Sequence, residues 1–221
     1  MVVYVEGDGH AVSRSGRISA DPTPYYPVGW MLARQDTAPA VLYLARLGQY
    51  NPRFATAQYN KFWGEARFAQ TIVQAMNHTL DVVKERLQIE RIHLVGFSGG
   101  GAIACLLAAR RNDVASLVTV CGLLDHAFWT RKNGYTPLSA SLNAADEAQK
   151  VRHIPQIHFF GTNDSVITPD ISWQFLHSAE FSHAERIAVE ARHNSGWEQA
   201  WPALLSGKIA SLRQTQRKPV P

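Results

Sequence analysis

Apolar residues along this chain fall into two patterns. Short, nearly unbroken runs at 2–5, 40–45, 92–97, 117–121 and 157–161, with a final one at 185–191, have the length and β-branched content of buried strands. Between them, apolar positions recur at helical spacing. Ile72, Val73, Met76, Leu80, Val83 and Leu87 predict a long amphipathic helix over 68–87. Asp21-Pro22, a capping residue followed by proline, predicts a helix running to about Arg34. A wholly apolar helix follows residue 98 and ends near Arg110-Arg111-Asn112, and further helices are expected over 170–179 and 197–212. The stretch 123–153 reads as irregular and partly helical.

Strands that alternate with helices, and that are continuously apolar rather than alternating, predict an α/β fold with a mostly parallel sheet covered by helices on both faces. In such sheets ligands bind beyond the carboxyl ends of the strands. The chemistry is therefore sought in the residues that follow each strand.

Composition narrows the partners. With 221 residues, 46% of them hydrophobic, one domain over 1–221 is expected. The net charge of +4 comes partly from Lys208, Arg213, Arg217 and Lys218 near the C-terminus, the last three in a stretch over about 213–221 read as a solvated basic tail. No aromatic residues interleave with a basic run, so nucleic acid is not an expected partner. No stretch approaches 18 apolar residues, so no integral membrane segment is expected. Cys105 and Cys121 stand in apolar runs and read as buried small hydrophobes rather than a disulfide. No Cys or His pair has metal-ligand spacing, and neither metal nor organic cofactor is called for. Gly7-x-Gly9 opens like a dinucleotide fingerprint, but Val12 stands where the third small residue belongs.

The densest signal is Ile92 to Phe97, then Ser98-Gly99-Gly100-Gly101, then an apolar helix: a strand, a G-x-S-x-G turn and a helix. A strand that reverses into a helix this quickly strains its tip, which is tolerable only where the neighbours lack side chains, as at Gly96 and Gly100. The strain would lift the Ser98 hydroxyl above the sheet as a nucleophile, with the amide of Gly99 facing the oxyanion. Reading the other strand ends in order gives Glu6-Gly7-Asp8, Asp125-His126, Asn163-Asp164 and His193-Asn194. Serine is too weak to attack alone, so an imidazole must take its proton, and a carboxylate must fix that imidazole's tautomer. Asp164 and His193 follow Ser98 in the order acid, then histidine; Asp125 is the rival acid, and His177 and His183 are the rival histidines.

With Tyr4-Val5-Glu6-Gly7-Asp8-Gly9, Asp21-Pro22-Thr23-Pro24, the elbow, Leu124-Asp125-His126 and Pro137-Leu138-Ser139, the chain resembles the α/β-hydrolase superfamily, in particular small bacterial serine hydrolases with a Y-[IV]-E-G-D-G start. The resemblance covers nearly the whole chain. It implies Ser98 as nucleophile, Asp164 as acid, His193 as base, and the amide of Asp8 as second oxyanion donor beside Gly99, with the amide of Gly9 as the alternative. Many members carry an export signal and extra cysteines; here Leu47-Gly48-Gln49 and Asn194-Ser195 stand in the cysteine positions. The expected location is cytoplasmic as the chain stands, or periplasm or envelope if a leader precedes it. The first strands of the fold read as missing, which would bare the edge at 40–45 and leave the chain poorly soluble or make it a homodimer through that edge.

The segment 123–155 takes the place of a short cap, with Phe97, Phe128 and Trp129 as candidate pocket walls and Tyr135 and Leu138 beside them. The Asp8 carboxylate is expected to turn away and bind local amides. Glu6 is expected to pair with His10 or Arg14, or else to face solvent. The expected function is hydrolysis of a small-molecule carboxylic ester or thioester through an acyl-enzyme; the alternative is a catalytically degenerate hydrolase-fold protein with a binding or envelope role.

Overall fold

A computed structural model describes residues 1–12, 17–51, 53, 57–181 and 183–215. All six predicted strands are present: β1 (Val2–Val5), β2 (Val41–Leu44), β3 (Ile92–Phe97), β4 (Val114–Val120), β5 (Gln156–Gly161) and β6 (Ala184–Val189). They form one sheet in the order β2-β1-β3-β4-β5-β6, and every neighbouring pair is parallel. β1 and β4 are buried along their whole length, whereas the edge strands β2 and β6 are partly exposed. The continuous Val, Ile and Leu content of the inner strands follows from burial of both their faces.

Helices supply that cover. α2 (Gln70–Leu87) buries Ile72, Val73, Met76 and Leu80, four of the six positions singled out by spacing. It packs against α3 (Gly99–Ala108), all ten residues of which are buried. α1 (Val28–Ala33) packs with α7 (Trp197–Leu204), whose Trp201 meets Tyr4 and Phe159 edge-on. After β4 come α4 (His126–Asn133), a 3-10 turn at Ala144–Glu147 and α5 (Ala148–Val151), and α6 (Pro169–His177) follows β5. Among the described residues no helix is long and apolar enough to cross a membrane. Cys105 and Cys121 are both buried and free.

Two helices differ from expectation. The helix expected from Asp21 begins only at Val28. The Asp21 carboxylate accepts the amide of Thr23 at 2.9 Å, making a local turn. Pro24 and Pro27 lack amide protons and push Thr23 and Tyr26 out of the helical region, so the helix starts after the last proline. The helix expected over 197–212 contains Pro202 and is interrupted by a wider turn at Leu205–Ile209 before α8 (Ala210–Thr215). Of the basic tail, Arg213 pairs with Asp36 at 2.7 Å, and 216–221 lie outside the described residues.

Candidate active site

Ser98 occupies the single residue between β3 and α3, with φ 51° and ψ −123°. Its neighbours explain why glycine surrounds it. A Cβ at Gly96 would stand 2.3 Å from the carbonyl oxygen of Gly100, and one at Gly100 would stand 2.3 Å from that of Val5. The Ser98 amide is tied to the carbonyl of Val120 at 2.9 Å, and its own carbonyl accepts the amides of Gly101 and Leu123. The strained turn is thus held by β4, by the loop that follows it and by the first turn of α3.

The structure brings Asp164 and His193 to this turn. Asp164 follows β5, and its Oδ1 accepts the amides of Val166 and Ile167 at 2.8 and 3.0 Å. Its Oδ2 lies 2.8 Å from His193 Nδ1, and His193 Nε2 lies 3.0 Å from Ser98 Oγ. His193 stands in a tight loop after β6, closed by the Arg192 and Ser195 bridge, with its ring against Phe97 at 5.3 Å. Burial pushes the Asp164 carboxyl up, but the hydrogen bond and charge of His193, with help from the Cys121 thiol and the Val166 amide, outweigh it and hold the group below its ordinary value. A carboxylate, an imidazole and a hydroxyl in one hydrogen-bonded row is an arrangement that can carry the hydroxyl proton onto the imidazole.

The rivals lie elsewhere. Asp125 Oδ1 accepts the amide of Phe128 and the side-chain amide of Asn143, so it caps α4. The His177 ring packs on exposed Trp173 at 4.3 Å. His183 stands just before β6, where its carbonyl accepts the amide of Gln156 at 2.8 Å.

The loop after β1 reaches Ser98 because β1 pairs with β3 with Val5 opposite Gly96. Its two acids behave differently from expectation. Glu6 is 1% exposed and pairs with neither His10 nor solvent. Its oxygens accept the amides of Gly7, Gly29 and Trp30 and the hydroxyl of Tyr43, at 2.9 to 3.2 Å. Burial nonetheless pushes its pKa up. Arg14 lies outside the described residues. The Asp8 carboxylate binds two guanidiniums rather than local amides: Arg46 Nη1 at 2.8 Å and Arg67 Nη1 at 2.9 Å. Burial alone would raise its pKa, but the charges of Arg67 and Arg46 prevail and lower it. The amides of Asp8 and Gly99 have no hydrogen-bond partner among the described residues. Gln49 adds a further tie, donating to the carbonyl of Gly7 at 2.9 Å.

Arg46 and Arg67 escaped the sequence reading. Arg46 follows β2 by two residues, so the rule applied to the other strand ends would have found it; Arg67, in a turn before α2, carries no such signal.

A cleft of about 650 Å³ opens over Ser98. Of the predicted wall residues, Phe97 and Trp129 line it, together with Tyr25, Tyr26, Val166 and Arg67. Phe128 does not; it is half-buried and packs against the core. Neighbours on a helix point about 100° apart, so α4 can turn only one of this pair to the cleft. Trp129 is fixed there by its indole N–H to the carbonyl of Val166 at 2.9 Å, and Tyr135 packs on its ring at 5.0 Å. Leu138 is core.

Residues 60–139 match the family model of the alpha/beta hydrolase fold. The chain superposes on a puromycin hydrolase S511A mutant complexed with PGG with a TM-score of 0.67 at 15% identity, over 97% of this chain and only 34% of that one. It is similar to Est1E from Butyrivibrio proteoclasticus, solved with ferulic acid bound, with a TM-score of 0.62 and 12% identity over 95% and 88% of the two chains. The esterase domain of a Rhodothermus marinus protein gives 0.60 and 14% over 96% and 86%. The sequence finds no match among curated proteins. At such identities the likeness is one of fold, and the chain has the α/β-hydrolase fold.

Proposed function

We propose that this protein is a serine hydrolase that cleaves a small carboxylic ester or thioester through an acyl-enzyme. Ser98 attacks the acyl carbon while His193 Nε2 takes its proton, and Asp164 steadies the imidazolium. The amides of Gly99 and Asp8 hold the oxyanion. Collapse expels the alcohol or thiol, which takes the proton from His193. Water then repeats the sequence and releases the acid. The segment 123–155 serves as a short cap, with Trp129 facing the substrate.

The observation that carries this reading is His193 hydrogen-bonded on one side to Ser98 and on the other to Asp164, with the serine on a strained turn. Several solved proteins of this fold being esterases supports the choice of ester over other acyl substrates. The test is labelling with a fluorophosphonate, with mass spectrometry to locate the adduct. An adduct on Ser98 that is lost in His193→Ala is expected. A folded protein that takes no adduct would sink the proposal.

A further inference from the structure

Asp8 poses an electrostatic problem for the proposed reaction. Its Oδ1 lies directly on the Cα of Gly99, where an added Cβ would be only 2.1 Å away. A lone carboxylate there would repel the negative charge that develops on the substrate oxygen.

The fold answers with two cations on that one anion. Arg46 is locked: its side chain is 1% exposed, its Nη2 donates to the carbonyl of Arg67, and its guanidinium lies over the rings of Phe68 and Trp63. One guanidinium would cancel the carboxylate. The second, Arg67, lines the same cleft as Ser98 and leaves a surplus positive charge on that wall. Glu6, the other acid there, is enclosed apart from this cluster, its oxygens taken up by the amides of Gly7, Gly29 and Trp30 and the hydroxyl of Tyr43. Gathering two cations around one anion away from water is costly, and packing alone does not require it.

We propose that Arg67 is a positioning residue for catalysis: by outnumbering Asp8 it sets a positive field at the oxyanion site formed by the amides of Gly99 and Asp8. The inference rests on the serine hydrolase reading and adds to it a charge rule. Asp8, Arg46 and Arg67 act as one unit of net charge +1. Removing Arg67 brings the sum to zero, and removing the Asp8 charge as well restores it.

The rule is tested with p-nitrophenyl butyrate and with a trifluoromethyl ketone, which forms a tetrahedral oxyanion on a nucleophilic serine. Arg67→Met should lower kcat about tenfold or more with KM little changed, and should weaken ketone binding in proportion. Asp8→Asn combined with Arg67→Met should regain most of both losses, and Arg67→Lys should keep most of the rate. Arg67→Gln repeats the charge change with a polar side chain, in case Arg67→Met does not fold. A double variant no better than the single one, or an Arg67→Lys as slow as Arg67→Met, would overturn the charge rule while leaving the hydrolase reading intact. Wild-type protein that neither labels nor turns over would instead remove both.

Discussion

Thr119 and His158 are register partners on β4 and β5, and the threonine Oγ1 lies 2.8 Å from the imidazole Nδ1 in the closed interior of the sheet. Gln156 Oε1 lies 3.1 Å from Nε2. A carbonyl oxygen can only accept, so Nε2 carries the proton and Nδ1 accepts from the hydroxyl. The ring is wholly buried, and burial, with the nearby charge of Arg186, pushes its pKa down to about 3. The unfolded chain therefore binds a proton that the folded chain refuses between the ordinary histidine value of about 6.5 and about 3. Stability contributed by this site is complete above the upper limit and falls as pH drops through the window, by at most about 1.4 kcal/mol per pH unit. Urea unfolding of wild type and His158→Met from pH 7 to pH 4 should show a shallower decline in the variant. Parallel declines would exclude His158 as the source.

Asp164→Asn should preserve the fold yet lower kcat by about 10³ to 10⁴. An amide in this place can donate to Nδ1 of His193, which would leave the proton on Nε2, facing Ser98 as donor rather than acceptor. Asp125→Asn is the control: asparagine caps a helix about as well as aspartate, so both stability and kcat should stay near wild type. Equal losses in the two variants would contradict the assignment of the acid.

The crowding around the elbow makes a sharp contrast between two glycines. Gly100→Ala would force a methyl group onto the carbonyls of Val5 and Glu6, at 2.3 and 2.5 Å, and should cost about 3 kcal/mol. Gly207 has open space around its Cα. Gly207→Ala should stabilise by about 0.5–1 kcal/mol, by restricting the unfolded chain. Thermal melts of both variants against wild type decide the matter, and a mild Gly100→Ala would mean that the elbow can relax.

Trp129 and Phe128 offer a test of which face of α4 meets the substrate. Trp129→Ala should raise KM about tenfold with a smaller change in kcat, as expected when binding common to ground and transition states is lost. Phe128→Ala should leave KM alone and lower the melting temperature. The reverse outcome would place the wrong residue in the cleft.

Much of this molecule was legible from residue order. The six strands announce themselves because continuous apolar runs have few other uses, and Ser98, Asp164 and His193 each follow one of them. What escaped involves either competing local rules or distance. Asp21 looks like a helix cap until the effects of Pro24 and Pro27 are weighed against it. Phe128 and Trp129 are indistinguishable in apolar pattern, and only the docking of α4 separates them. The partners of Asp8 stand 38 and 59 residues away, and those of Glu6 include amides 23 and 24 residues on. No periodicity encodes such pairings; they exist only once β1, β2 and the turn before α2 have met.

The place of β1 in the sheet also governs when the turn around Ser98 can be completed. Its register partners on β3 are roughly ninety residues further along, so closing that contact is among the slower steps available to the chain. A nascent chain carries Val2 to Val5 unpaired on that side while everything up to β3 is still being made. Until the strand docks, neither the loop bearing Glu6 and Asp8 nor the carbonyls that crowd Gly100 are in place. A half-folded molecule therefore lacks the finished turn around Ser98, and the hydrolysis proposed for this protein would await the completed sheet.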